Sequence, residues 1–241
     1  MSYLGFVKMA FENYPAERNT PISVLEIGVD HGQSTLPILQ NLVERFDSFL
    51  YIGIDIKINQ LVLNQVDNFS NVDVVTKGGA VSPRMALFIQ ENSLSWLERM
   101  SGNIEKSEDP ESLKFDLVFV DGDHNYHTVS REMEMLNKLT RPSTIMICDD
   151  YNGKYSYRDM FYADNENYSD NNLATQRIDT EKQGVQTAIN DFMISHPHWT
   201  GFGWKDAEPI IMSRKDFWKP LTSDRVVGQK FSSAKINFER E

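Results

Sequence analysis

Cysteine is almost absent: Cys148 is the only one among 241 residues. No internal disulfide can form, and no cysteine-based zinc site can be built. Long apolar runs are missing too; none approaches the ~18 residues of a membrane-spanning helix. Basic residues are scarce relative to acids, with 24 Lys+Arg against 35 Asp+Glu and a formal net charge of −11. That balance argues against a nucleic-acid partner, which needs clustered Lys and Arg on phosphates, and against an anionic membrane surface. Met1-Ser2-Tyr3-Leu4-Gly5-Phe6 lacks a basic segment followed by a long apolar one, so no signal peptide is expected and the setting expected is cytoplasmic. An acidic excess does suit a divalent cation, because carboxylates are the usual ligands of hard ions.

An apolar fraction of 40% with 11% aromatics is enough for one large core. Short apolar runs at 22–27, 50–54, 85–89, 115–120 and 144–148 read as strands buried on both faces. Helix-period segments at 34–46, 59–66, 94–100 and 128–139 lie between them. This alternation predicts an α/β fold with a doubly wound, mostly parallel sheet. A further helix is expected at 184–195, and 200–204 with 210–213 read as a terminal antiparallel hairpin. The chain divides into an N-terminal helical cover (1–20), a ligand-binding core (22–150), a polar Asn/Asp/Tyr-rich segment (151–183) read as a substrate lid, the helix and hairpin (184–220), and a tail (221–241). Phe231 and Phe238 would let that tail either cover a second copy of the chain or fray.

The first strand ends in Glu26-Ile27-Gly28-Val29-Asp30-His31-Gly32, followed by Gln33-Ser34-Thr35 at a helix start. Ligands of doubly wound sheets bind beyond the carboxyl ends of the strands, where a glycine turn lets the backbone approach. The spacing is E-x-G-x-x-x-G rather than G-x-G-x-x-G, and Asp30 would repel a pyrophosphate at the helix start. A ligand without phosphates is therefore expected. Glu26 suits a cationic amine, His31 a backbone or ribose contact, and Asp55 at the end of the second strand a ribose diol.

These residues resemble the class I methyltransferases that use S-adenosylmethionine. Glu26, Gly28 and Gly32 match the first motif, with Ser34 at the helix start beside it, and Asp55 matches the ribose-binding acid. Gln90-Glu91-Asn92-Ser93 falls where that family places its adenine contacts, so Asn92 and Ser93 are implied there. Glu91-Asn92-Ser93 departs from the usual Gly-Asp-Ser-like turn.

Two acidic clusters end the next strands: Asp121-Gly122-Asp123-His124 and Asp149-Asp150-Tyr151. If those strands are neighbours, their ends lie ~4.8 Å apart, and Asp121, Asp149 and Asp150 converge. Carboxylates so close repel unless protons or a cation compensate. Mg²⁺ or another hard divalent cation takes such all-oxygen ligands and would bind a substrate hydroxyl. The same residues, the helix after Asp123 and the segment 184–192 resemble the macrocin O-methyltransferase group of sugar O-methyltransferases, also called the methyltransferase domain 24 group. That resemblance implies Mg²⁺ at Asp121, Asp149 and Asp150, Asp121 at the cofactor as well, and methylation of a sugar hydroxyl. Arg141-Pro142-Ser143-Thr144 replaces the group's usual glycine pair.

Methyl transfer to a hydroxyl needs a proton acceptor. His124 and Asp123, just past the fourth strand, are the candidates. The expected function is metal-assisted O-methyl transfer to a small-molecule hydroxyl, of a sugar or polyol. Three alternatives stand beside it: a metal-independent methyltransferase with His124 as base, a binding protein without catalysis, and a metal-dependent hydrolase, for which a second ligand cluster is missing.

Overall fold

The computed structural model describes residues 2–69, 71–76, 82–168, 170–204, 206–215 and 217, with the backbone of 229–231. The five apolar runs form β1 (Ile22–Ile27), β2 (Phe49–Asp55), β4 (Arg84–Gln90), β5 (Phe115–Val120) and β6 (Thr140–Cys148). The expected hairpin forms β7 (Trp199–Gly203) and β8 (Ile210–Arg214). Two short edge strands, β3 (Asp73–Val75) and β9 (Gln229–Phe231), were not expected. Three residues are too few to show a period, and β3 lies inside a segment whose glycines mark it as a loop. The Phe231 backbone pairs in β9; the rest of the 221–241 tail lies outside the described residues.

The sheet order is β3-β4-β2-β1-β5-β6-β8-β7-β9. β1 to β6 run parallel, and β8 inserts antiparallel beside β6. The order reverses direction at β1, between β2 and β5, which opens a crevice at the strands' carboxyl ends. β5 and β6 are direct neighbours, with Val120 opposite Cys148. The condition for bringing Asp121 and Asp149 together is thus met.

Helices cover both faces. α1 (Tyr3–Asn13), α2 (Thr35–Arg45) and α3 (Gln60–Val66) pack on one, where Phe6, Ile38 and Val62 meet Val24, Phe119 and Ile145. α4 (Ser93–Ile104), α5 (Tyr126–Lys138) and α6 (Val185–Ser195) pack on the other, where Leu97, Met133 and Ile189 meet Leu25, Val118 and Met146. The split follows the alternation of side chains along each strand. Three asparagines set the starts of the helices that leave the crevice. Asn59, Asn92 and Asn125 accept from Leu61 N (2.9 Å), Ser95 N (3.2 Å) and Thr128 N (2.8 Å), each satisfying an otherwise unpaired first-turn amide.

The 151–183 segment has little regular structure but is anchored throughout. Asp159 Oδ1 accepts from Tyr126 N and Gly184 N, both at 2.8 Å, and Met160 N donates to the His124 carbonyl at 3.0 Å. Farther along, Asn171 Nδ2 donates to the Ile56 carbonyl at 2.9 Å. Asn92 Nδ2 donates to the Leu173 carbonyl at 2.8 Å and to Thr175 Oγ1 at 3.1 Å. The segment is therefore a strap laid across the strand ends.

Candidate active site

The crevice is walled by Gly28 and Asp30 from the β1 loop, Asp55 and Ile56 from the end of β2, Glu91 and Ser93 after β4, Asp121 and Gly122 after β5, and Tyr162 and Tyr168 from the strap. Gly28 (φ +90°) makes the close approach possible: a Cβ there would stand 2.0 Å from the Asp121 carbonyl oxygen. Backbone atoms cannot give way as a side-chain end can. Gly28→Ala is expected to destabilise the fold by about 2–3 kcal/mol, read by calorimetry as a Tm drop of roughly 5–10 °C; an unchanged Tm would show that the two loops need not touch.

Asp55 is the best-held acid of the crevice. Its Oδ2 accepts from Val29 N (2.8 Å) and Asp30 N (2.9 Å), its Oδ1 from Lys57 N (2.9 Å). Burial raises its carboxyl, these amides oppose the shift, and the Asp30 charge adds to it. A carboxylate oriented by three amides and facing the crevice has the acceptor geometry a ribose diol needs. With the open approach at Gly28, the residues present fit a nucleoside ligand.

The other residues expected at the cofactor find partners within the fold, and Ser93 among them also lines the crevice. Glu26 follows Val24 at the strand period, so it points to the α1–α2 face. There it is completely buried and accepts from Ser34, Thr35 and Tyr51 hydroxyls. Burial pushes it up to about 7 against those hydroxyls. Glu26 and Ser34 thus form an internal hydroxyl–carboxyl cluster, not an amine contact in the crevice. His31 is exposed and paired with Asp30 at 2.7 Å. Gly32 (φ +78°) packs against Val62. Asn92 caps α4 and holds the strap, while Ser93 does line the crevice and donates to Glu132 Oε1 at 2.5 Å.

At the β5 and β6 ends, the Asp121 and Asp149 carboxyls lie within hydrogen-bonding reach of each other. Burial first, then Asp149, Glu26 and Asp150, hold Asp121 well above the usual carboxylate range. Burial also raises Asp149, whose Oδ1 finds no amide, hydroxyl or cationic donor. Asp150, in the left-handed region at φ 54°, turns instead to His124, with Oδ2 3.0 Å from Nδ1. The three-acid set is therefore a pair plus a separate His–Asp contact. Among the described residues no three His, Cys, Asp or Glu side chains group as ligands of one ion. A pair still fits Mg²⁺, which is commonly held by one or two carboxylates with the rest of its shell left to water.

Asp123 is held from within the fold. Its Oδ2 accepts from Thr128 Oγ1 at 3.0 Å, while its Oδ1 is buried without a partner; Thr175 lies close by and lowers it against burial. Of the two candidate bases, only His124 faces the acid pair's side, its ring stacked on Tyr155 at 5.1 Å and 23°. Tyr162 and Tyr168 belong to the Tyr-rich segment expected to cover a substrate, whereas Asp30 and Glu91 carry no expected ligand contact. Glu91 and Asp30 adjoin motif residues and are findable by position.

Strand order and glycine turn define a Rossmann-like α/β fold with a crevice at its strand ends. A methyltransferase-domain family model matches residues 25–151. A search of curated protein sequences finds no match. Among solved structures, MycE, a methyltransferase from the mycinamycin biosynthetic pathway in complex with Mg, SAH and mycinamycin VI, aligns with TM-score 0.47 and 17% identity, over 87% of this chain and 48% of its own. The chain thus spans about half of that protein's length. CalS11, a TDP-rhamnose 3′-O-methyltransferase of calicheamicin biosynthesis, aligns with TM-score 0.45 and 12% identity, over 63% and 64% of the two chains. PaMTH1 of Podospora anserina, bound to SAH, aligns with TM-score 0.48 and 14% identity, over 88% and 77%. The family match decides membership: the chain belongs to this methyltransferase-domain family, and with it to the S-adenosylmethionine-dependent class its motifs resemble.

Proposed function

We propose that the protein methylates a hydroxyl of a small molecule, a sugar or polyol, using S-adenosylmethionine and a divalent cation. The observation that carries the reading is the adjacency of three parts at one edge: the Asp55 clasp, the Asp121–Asp149 pair and the His124–Asp150 contact. Asp55 would hold the cofactor's ribose and Gly28 would admit its chain. When bound, the cofactor supplies an electrophilic methyl group and the cation supplies charge that neutralises Asp121 and Asp149. Asp150 Oδ2, 3.0 Å from Nδ1, would hold a proton at that nitrogen and leave Nε2 to take the acceptor's proton. Tyr155 keeps the imidazole in plane.

The test is SAH formation from S-adenosylmethionine over a panel of sugar and polyol acceptors, with and without EDTA. Product that disappears with EDTA and returns with Mg²⁺ is expected, together with a Tm raised by cofactor through binding to the folded state alone. A Tm that ignores saturating cofactor would sink the reading. Turnover that ignores EDTA would favour a second reading, transfer by His124 without metal, which the His124–Asp150 contact also supports.

A further inference from the structure

We propose that the strap over residues 159–175 is a lid for the cofactor rather than for the acceptor, with Tyr162 and Tyr168 as the side chains that recognise its adenosine. This rests on the cofactor standing in the crevice above Asp55. Both tyrosines wall that crevice together with Asp30, Asp55 and Asp121. Their rings meet edge-on at 5.0 Å and 72°, and Lys57, two residues beyond Asp55, places its Nζ 5.8 Å from the Tyr168 ring centroid. The Tyr162 phenol is raised by burial and then by Asp121, Tyr168, Asp55 and Asp123 around it. Tyr168 is raised by burial and then by Asp30 and Asp55. Both rings thus stand among the acids that wall the crevice.

The space beneath them is small. The cavity measures about 60 Å³, whereas pockets that bury a small ligand span ~300–1,000 Å³. A nucleoside cannot enter while both rings lie in place, so the strap lifts first and recloses on the ligand. Its attachments suit that motion. Asn171 to Ile56, and Asn92 to Leu173 and Thr175, are polar links, and Phe161 and Ala174 are its only buried apolar side chains between 159 and 175 among the described residues. Segments with few buried apolar contacts open at low cost. Once reclosed, aromatic faces against a purine supply sequence-independent stacking of the kind seen wherever proteins hold bases.

SAH titrated by calorimetry, with stopped-flow association, tests the assignment on wild type, Tyr162→Ala/Tyr168→Ala, Tyr162→Phe/Tyr168→Phe, Asp55→Ala and Asn92→Asp. The double alanine variant is expected to weaken SAH at least about tenfold for the two lost ring contacts, and the phenylalanine pair to keep most of the affinity. Asn92→Asp keeps the acceptor that caps α4 but removes the donor to the strap, so faster SAH association and faster proteolysis within 159–175 are expected. Full SAH affinity in both tyrosine variants, with binding lost in Asp55→Ala, overturns the lid assignment and leaves the crevice as the cofactor site. Full affinity in Asp55→Ala as well overturns both. Unchanged association in Asn92→Asp overturns the gate.

Discussion

Turnover of His124→Gln is expected to fall by about 10²–10⁴, the usual contribution of a positioned base, while SAH binds as in wild type. The imidazole is fixed from two sides. Asp150 Oδ2 lies 3.0 Å from Nδ1, and Tyr155 stacks at 5.1 Å on the ring. Glutamine has similar length but no basic nitrogen, so it separates proton removal from packing. Asp150→Asn should lose less, because it removes the orienting partner and leaves the base. Combined, the two changes should cost little more than His124→Gln alone, since residues that act as a unit are not additive. Losses that multiply would show that Asp150 works independently of His124, as a cation ligand would.

Glu132→Gln is expected to stabilise the protein in a pH-dependent way. Glu132 lies on α5, fully buried, with Ser93 on Oε1 at 2.5 Å and no partner on Oε2. Burial raises it from 4.5 to about 8, against the Ser93 hydroxyl, with Asp123 adding. Below the unfolded value both states carry the proton and the group costs nothing. As pH rises from there towards 8, the unfolded chain ionises while the folded one does not, and stability declines; above 8 the loss is complete. At ~1.4 kcal/mol per pH unit, a shift of this size amounts to about 3–5 kcal/mol. Glutamine has no proton to lose. Its Tm should match wild type near pH 4.5 and exceed it by roughly 10 °C at pH 8. A difference that stays flat across that range would mean that Glu132 is ionised in the fold.

Much of this architecture is legible in the residues. The five strand runs are apolar on both faces, as parallel strands buried under helices must be, and each became a strand within a few residues of its expected ends. The neighbour relation of β5 and β6, open in the sequence, is settled by the sheet. What could not be read was direction. Glu26 sits in the right loop and motif, but the two-residue alternation along β1 turns it to the α2 face, where Ser34, Thr35 and Tyr51 wait. Asp121, Asp149 and Asp150 share an edge as expected, yet the left-handed backbone at Asp150 swings its carboxyl to His124. Asp123 is held by Thr128, with Thr175 of the strap close by. The Tyr-rich composition of the strap marks Tyr162 and Tyr168 as covering residues, but where they sit is set by long-range links to Ile56 and Asn92.

The first helix gives the acid pair its inner wall. Tyr14 at its far end donates to Asp116 Oδ1 at 2.5 Å, where Ser23 N (2.7 Å) and Arg141 (3.1 Å) also meet that carboxylate. Its Tyr3 end carries a buried phenol hydroxyl without a partner, raised by burial and then by Asp121, Glu26 and Asp149. One rod of eleven residues therefore runs from the amino edge of the sheet to the reaction edge, bolted at the bottom and standing against the acids at the top. The helix that meets Asp116 at the amino edge thus sets the buried Tyr3 phenol against the acids of the opposite rim.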